Sequence, residues 1–173
     1  PASRRARALL VGVAAAVAEL GAPVGVQLLA GAWRETLGLA VAIGASFLRV
    51  EAFAYAHVAD EGWMDACAGE LVRARAALGV PVAIWADIRK KHAAHAVTGD
   101  LDLAAVAKGT AFCGADALVV TGGETGASTA IDDVRAARAG GRPVVVGSGV
   151  SPADAGRLAA EAQALIVGSW LKE

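Results

Sequence analysis

Pro143-Val144-Val145-Val146-Gly147-Ser148-Gly149 is a short apolar run that ends in glycine and serine, and Ala164-Leu165-Ile166-Val167-Gly168-Ser169 repeats the pattern. Each run predicts a buried parallel strand. A glycine has no Cβ, so backbone N–H groups beside it can approach an anion, and a following helix N-terminus favours negative charge. In (βα)8 barrels the loops after the last two strands commonly hold a phosphate. The pattern therefore predicts a phosphate site formed by Gly147, Ser148, Gly149, Gly168 and Ser169.

Further strand candidates lie upstream, and helical patterns separate them. The six predicted strands are Val24–Leu29, Ser46–Glu51, Pro81–Asp87, Asp116–Thr121, Pro143–Gly147 and Ala164–Gly168. The predicted helices are Trp33–Ile43, Gly62–Leu78, Leu101–Cys113, Ile131–Ala139 and Pro152–Ala160. This alternation is typical of an α/β fold with a parallel sheet. Gly21, Gly44 and Gly114 precede three of the strands, where glycine at the C′ position of a helix allows the turn into the sheet.

Six strands fit either an incomplete eight-stranded barrel or a doubly wound sheet. Polar residues follow nearly all six strands, as they do at the active-site face of a barrel. A doubly wound sheet instead concentrates its site at one crevice where the strand order reverses. We therefore predict one partial (βα)8 barrel domain over residues 1–173, without an internal linker.

Composition excludes several classes of protein. The chain is 56% hydrophobic and 19% charged, which excludes disorder, and its net charge of −1 argues against a nucleic-acid surface. No apolar run is long enough to predict a transmembrane helix. Cys67 and Cys113 lie far apart and predict reduced thiols in a cytoplasmic protein rather than a metal site. We expect neither a cofactor nor a metal ion. The sequence leaves open whether the protein forms a homo-oligomer.

The N-terminal residues allow two interpretations. Ser3-Arg4-Arg5-Ala6-Arg7 followed by an apolar stretch imitates a twin-arginine export signal. However, the chain begins at Pro1, and Glu19 lies where such a signal would approach its cleavage site. We expect this segment to be a barrel helix whose preceding strands are missing, so that the chain is a fragment.

Arg49 and Glu51 share one face of their strand because side chains alternate with a period of two. If Leu48 and Val50 pack under the outer helices, Arg49 and Glu51 point into the barrel. A buried charge must be paired, so a structural ion pair and a functional Glu51 with a perturbed pKa are both open interpretations.

Asp87 ends its strand and runs into the loop Ile88-Arg89-Lys90-Lys91-His92. A carboxylate at this end of a barrel strand can act as a base, a metal ligand or a hydroxyl anchor. Lys91 and His92 would add a cation and a proton carrier. The alternatives are a solvated basic loop with a capping aspartate, and a metal site of Asp87, His92 and His95.

Three other polar segments follow strands or precede helices. His57-Val58-Ala59-Asp60-Glu61-Gly62 is either a mouth loop or a helix N-cap, and for Glu61 we favour the cap. Thr121-Gly122-Gly123-Glu124-Thr125-Gly126 is a Gly-rich turn that could cradle a phosphate or a sugar hydroxyl. Ser151-Pro152-Ala153-Asp154 predicts a helix start, with serine at the N-cap and proline at the first helical position.

Several segments, taken in chain order, resemble those of a known family. They are Gly25–Gly31, Phe47–Phe53, His57–Trp63, Asp87–His92, Val120–Gly122, Thr125–Gly126 and Val146–Pro152. Together they resemble the BtpA/SgcQ family over essentially the whole chain. The resemblance implies a (βα)8 barrel of the ribulose-phosphate-binding type, of which this chain holds strands three to eight. The chain departs from the family at Ala93-Ala94, where hydroxyl residues are usual, and at Asp154, where asparagine is usual.

Family members are named for photosystem I accumulation or labelled as nucleosidases. We predict a protein that binds a phosphorylated sugar or a nucleoside-like molecule, with Gln27, Arg49, Thr121 and Gly122 adding to the phosphate-holding residues. Glu51 and Asp87 would handle protons or hydroxyls, assisted by Lys91 and His92, in a lyase, isomerase or nucleosidase reaction. The alternative from another class is a non-catalytic assembly factor for a membrane complex such as photosystem I.

Overall fold

A computed structural model describes residues 12, 13, 17, 19, 21–122 and 129–172. Its main sheet consists of β1 (Gly25–Val26), β2 (Phe47–Val50), β5 (Ala83–Asp87), β7 (Ala117–Val120), β8 (Val144–Val146) and β9 (Ala164–Leu165). These strands pair in parallel in the order β1-β2-β5-β7-β8-β9. The spatial order follows the chain and never reverses, so the sheet is a curled arc of a (βα)8 barrel and not a doubly wound sheet.

All six predicted strands are confirmed, and each is shorter than the sequence pattern indicated. Helices lie between them: α1 (Trp33–Ala42), α2 (Ala68–Leu78), α3 (Leu103–Phe112), α4 (Ile131–Ala137) and α5 (Pro152–Ala159). The predicted glycine turns are also confirmed, because Gly44 and Gly114 follow α1 and α3 with φ of 64° and 101°. No helix in the described part of the chain is long and apolar enough to cross a membrane.

The sheet buries both of its faces, as its nearly continuous apolar strands predict. Leu48 and Val50 lie in the large core between the sheet and the helices, as expected. On the opposite, interior face, Ala117, Val119 and Val145 form a second cluster. Arg49 is on this interior face of β2, because side chains alternate along a strand.

One predicted element is wrong: residues 62–67 are not helical. His57–Ala59 (β3) and Gly62–Met64 (β4) instead form an antiparallel hairpin, and Ala93–Ala94 (β6) pairs with the other side of β3. The turn between β3 and β4 requires Gly62 at φ 104°, a conformation that ends any helical register. Helix α2 therefore begins only at Ala68, and Glu61 lies in a hairpin turn rather than at a helix N-cap.

Two predictions fall outside the described residues. The question of an export signal or a barrel helix at the N-terminus concerns residues 1–20, of which only four are described. The Gly-rich turn is described at Thr121 and Gly122, whereas Gly123, Glu124, Thr125 and Gly126 lie outside the described part.

The predicted start of α5 is confirmed in detail. The Ser151 Oγ accepts from the Asp154 N–H at 3.3 Å and donates to the Asp154 Oδ2 at 3.0 Å, and Pro152 occupies the first turn. This cap fixes the helix directly behind Gly149.

Replacement of Ser151 by alanine should lower the free energy of unfolding by about 0.5–2 kcal/mol, because the Asp154 N–H loses its side-chain acceptor and keeps only the Ser151 carbonyl at 3.1 Å. Chemical denaturation measures this loss. Ser151→Thr keeps the capping oxygen and serves as the control, which should stay close to wild type. An alanine variant as stable as the threonine variant would contradict the assignment of the cap.

Candidate functional site

The carboxyl ends of the parallel strands place the predicted site residues at one edge of the sheet. We call this edge the mouth, meaning the residues that directly follow the six parallel strands. Its members are Gln27, Glu51, Ile88–His92, Thr121–Gly122, Gly147–Gly149 and Gly168–Ser169. Residues from segments more than 100 positions apart therefore meet in one region, as the barrel interpretation requires.

A buried ion pair crosses the interior below the mouth. The Arg49 Nε and Nη2 donate to the two Asp87 oxygens at 3.0 and 2.8 Å, and only 2% of the Asp87 side chain is exposed. The Arg49 Nη1 also donates to the Gly147 carbonyl at 3.3 Å. Burial raises the pKa of the Asp87 carboxyl, and the adjacent guanidinium opposes that shift. Arg49 thus pairs with Asp87 on the neighbouring strand and not with Glu51.

A side chain at Gly147 would collide with Val119 and with the Arg49 guanidinium. A Cβ at this position would lie 2.5 Å from the Val119 Cγ1 and 2.9 Å from the Arg49 Nη2. The Gly147 N–H donates to the Val120 carbonyl at 2.7 Å, so this amide is already used by the sheet. Gly147 therefore supplies space at the mouth rather than an amide donor.

Glu51 lies in a second polar group, with Gln27 and Lys90. The Gln27 Nε2 donates to the Glu51 Oε1 at 3.3 Å, and the Lys90 Nζ is 3.7 Å from the Glu51 Oε2. That second oxygen is buried without a hydrogen-bond partner. Burial raises the pKa of Glu51, and the Lys90 charge opposes the shift. A carboxyl with a raised pKa can exchange a proton nearer neutral pH than an exposed one.

Lys90 is the site residue that the sequence interpretation missed. Its side chain is only 8% exposed, and it contacts Asp60 at 3.5 Å and Glu61 in the β3–β4 turn. Burial lowers the pKa of Lys90, but the Glu61 hydrogen bond and the Glu51 charge outweigh burial and raise it. Three consecutive basic residues in a loop carry no pattern that tells which one points inward, so only the fold distinguishes Lys90 from Lys91.

The β3–β4 hairpin brings His57 against the mouth. His57 is 3% exposed, its ring centroid is 5.0 Å from that of His95, and its Nε2 has no hydrogen-bond partner. Burial lowers the pKa of His57, and the neighbouring His95 lowers it further. The buried imidazole is therefore neutral at physiological pH.

Lys91 and His92 line a cavity of about 230 Å³ at the ends of β5 and β7, together with Thr121 and Gly122. The chain turns sharply here, since His92 has φ 55°, a conformation that costs energy in a residue with a Cβ. The Thr121 hydroxyl donates to the Arg89 carbonyl at 3.3 Å and so joins the two loops. Two of the predicted assisting residues thus share a cavity with two of the predicted binding residues.

The ends of β8 and β9 are neighbours. Val145 and Val146 pair with Ala164 and Leu165, so Gly147 directly follows β8, while Gly168 lies three residues beyond the end of β9. Gly149 has φ 70°, and the N-terminus of α5 follows two residues later. The Ser148 Oγ is buried without a hydrogen-bond partner. The Ser169 side chain lies outside the described part of the structure.

The alternative metal site finds no support in the described residues. They contain no group of three or more histidine, cysteine, aspartate or glutamate side chains suited to a metal ion. Both Asp87 oxygens already accept hydrogen bonds from Arg49, which leaves that carboxylate poorly placed to serve as a ligand together with His92 and His95.

Asp87→Asn should lower the free energy of unfolding by about 3–5 kcal/mol, because Arg49 then remains as a buried cation without a countercharge. Denaturant unfolding measures the loss. Glu70→Gln is the matched control, since it breaks the exposed Arg34–Glu70 pair, whose side chains are 66% and 56% exposed. An exposed pair contributes about 0–1 kcal/mol. Equal losses of unfolding free energy in the two variants would show that the buried Arg49–Asp87 pair stabilises the fold no more than the exposed Arg34–Glu70 pair does.

His57 should make stability depend on pH. Its pKa is lower in the folded chain than in the unfolded chain, where it is about 6.5. As the pH falls, His57 therefore becomes protonated in the unfolded state before it does in the folded state. The free energy of unfolding consequently decreases below about pH 6.5. His57→Asn should flatten this part of the curve of unfolding free energy against pH. Parallel curves for the two proteins between pH 8 and 5 would show that His57 is not the group responsible.

Comparison with known sequences agrees with this architecture. An uncharacterised mitochondrial protein of Caenorhabditis elegans is 43% identical over 150 residues, which cover 86% of this chain and 54% of that protein. The photosystem I biogenesis protein BtpA of Synechocystis is 35% identical over 156 residues, 87% of this chain and 53% of that protein. The chain thus spans just over half the length of these curated relatives.

Solved structures show the same fold. A candidate phosphonomutase from Burkholderia cenocepacia superposes with a TM-score of 0.63 at 23% identity, covering 92% of this chain and 70% of that one. Phosphoribosyl anthranilate isomerase from Thermus thermophilus gives a TM-score of 0.56 at 17% identity, with coverage of 92% and 69%. The model of the BtpA family matches residues 4–173, so the chain belongs to the BtpA family.

Proposed function

We propose that this chain binds a phosphorylated small molecule, a sugar phosphate or a nucleoside-like phosphate, at the mouth. The phosphate would lie against Gly147–Gly149 and Gly168–Ser169. The rest of the molecule would extend across the mouth towards Glu51 and the β5 loop.

The adjacent ends of β8 and β9 are the observation that carries the proposal. Each of these neighbouring strands runs on into a glycine-containing segment, and the capped N-terminus of α5 follows the first segment directly. Helix N-termini favour anions because their first N–H groups are unsatisfied. The buried Ser148 Oγ has no hydrogen-bond partner among the described residues, and a phosphate oxygen would supply one.

Other residues of the mouth receive roles from their contacts. Asp87 would act as a positioning residue, because both of its oxygens hold the Arg49 guanidinium. Glu51 would be the proton-transferring group, since burial raises its pKa and one of its oxygens has no hydrogen bond. Lys90 would hold Glu51 and the β3–β4 turn in place, while Lys91 and His92 would face the ligand from the cavity.

The reaction would be acid–base chemistry at a carbon next to a carbonyl or a glycosidic carbon, as in an isomerase, a lyase or a nucleosidase. In each case Glu51 would donate or accept a proton, and the covered mouth would limit access of water. The name of the Synechocystis relative suggests a different role, assembly of photosystem I, for which the outer surface would be used instead.

Ser148→Ala should weaken the binding of ribose 5-phosphate by about 10- to 100-fold, because a hydrogen bond to a charged group contributes about 1.5–3 kcal/mol. Isothermal titration calorimetry measures the affinity. The fold should not suffer, since the lost hydroxyl has no hydrogen-bond partner in the part of the chain that the structure describes.

Ser46→Ala is the matched control, because Ser46 is exposed and precedes β2 at the opposite edge of the sheet. The Ser46 variant should bind ribose 5-phosphate as wild type does. Ribose without phosphate should bind neither wild type nor this variant. Equal affinity of the Ser148 and Ser46 variants would overturn the phosphate site. Capture of a photosystem subunit that survives both Glu51→Ala and Ser148→Ala would favour the assembly role.

A further inference from the structure

The cavity at the ends of β5 and β7 has a cationic lining that the phosphate site does not use. It measures about 230 Å³ and lies between the loop after β5, the end of β7 and the first turn of α4. Its charged lining residues are Arg89, Lys90, Lys91 and Asp133, with two histidines from the same loop. The charge of this cavity therefore depends on which of these groups are already neutralised.

The cations of this cavity differ in how they are paired. Lys90 is neutralised by Glu51, Asp60 and Glu61, all of which lie within ion-pair distance. Neither Arg89 nor Lys91 takes part in any salt bridge of the described residues. Asp133 is exposed and is the one carboxylate among the described lining residues. Among the described lining residues, cations therefore outnumber carboxylates.

Arg89 is also incompletely hydrogen-bonded. Its Nη2 donates to the Leu101 carbonyl at 2.9 Å, which holds the guanidinium against the cavity wall. Its Nε is buried and has no hydrogen-bond partner. A buried donor without a partner requires an explanation, and a charged acceptor in the adjacent cavity is one.

We propose that this cavity binds a second anionic group, a carboxylate or a phosphate, on the same phosphorylated molecule. This inference rests on the proposed function and narrows the ligand class to molecules with an anionic group at each end. The cavity lies between β5 and β7, and the proposed phosphate site lies between β8 and β9. Two strand spacings separate them, roughly 10 Å, a span that suits a chain of five or six carbons.

Three open-chain ligands of equal length test the proposal by calorimetry. Glucitol 6-phosphate has one anionic end, 6-phosphogluconate adds a carboxylate, and glucitol 1,6-bisphosphate adds a phosphate. Wild type should bind at least one of the two doubly anionic ligands about tenfold or more tightly than glucitol 6-phosphate. The preferred ligand identifies the second group as carboxylate or phosphate.

Lys91→Met should abolish this preference, so that the doubly anionic ligands bind no more tightly than glucitol 6-phosphate does. Lys108→Met removes an exposed lysine from α3 and is the matched control, which should keep the preference. Arg89→Met should act as Lys91→Met does, with a thermal melt to confirm that the variant is folded.

The outcomes separate this proposal from the one on which it rests. Binding of all three ligands with equal affinity, or a preference that survives Lys91→Met, overturns the second anion site alone. Binding of none of them overturns the phosphate site and this inference with it. Loss of affinity for all three in Ser148→Ala, together with loss of the preference in Lys91→Met, supports both.

Discussion

Arg49 is a permanent cation inside a sheet whose interior is otherwise apolar, and the arrangement of the mouth depends on how it is neutralised. Removing a guanidinium from water is costly unless its donors are satisfied and its charge is paired. Asp87 supplies the charge from the neighbouring strand, and the Gly147 carbonyl supplies a further acceptor from β8. One side chain thus ties β2, β5 and β8 together below the mouth, and it requires a residue without a Cβ at position 147.

The small antiparallel sheet of β3, β4 and β6 places a second constraint on the mouth. It brings Asp60 and Glu61 over Lys90, so Lys90 is held between the hairpin turn and Glu51. The hairpin also buries His57 beside His95. The β3–β4 hairpin therefore screens Glu51 from water. Lys90, the cation that contacts Glu51, also holds the hairpin in place. Movement of the hairpin would change the solvation of Glu51, and hence its proton affinity, without displacing β2.

Much of this structure could be predicted from residues that are close together in the sequence. The features that could not be predicted depend on pairing between residues far apart in the chain. The Ser151-Pro152 helix start, the positive φ of Gly44 and the inward face of Arg49 depend on one residue and its near neighbours, so the sequence contains them. The partner of Arg49 lies 38 residues away on another strand, and the pattern of β2 could suggest only that a partner was needed. The helix predicted from Gly62 to Leu78 included β4, because residues 62–78 are rich in helix-forming residues, whereas Gly62 and the pairing with β3 decide the outcome.

The same limit explains why the Gly-Ser segments after β8 and β9 could be predicted more readily than the residues around them. Glycine and serine after an apolar run are visible in the sequence, but which basic residue turns inward is not. In the fold, Lys90 faces the carboxylates and Lys91 faces the cavity, although they are adjacent in the chain. The mouth is consequently divided: Glu51, Lys90 and His57 lie on the side of β2 and β5, where the charges are mutually neutralised. Arg89 and Lys91 lie towards β7, and the glycine ends of β8 and β9 follow. A ligand with anionic ends would fit along the second part, with one end beside Arg89 and Lys91 and the other at the glycine ends.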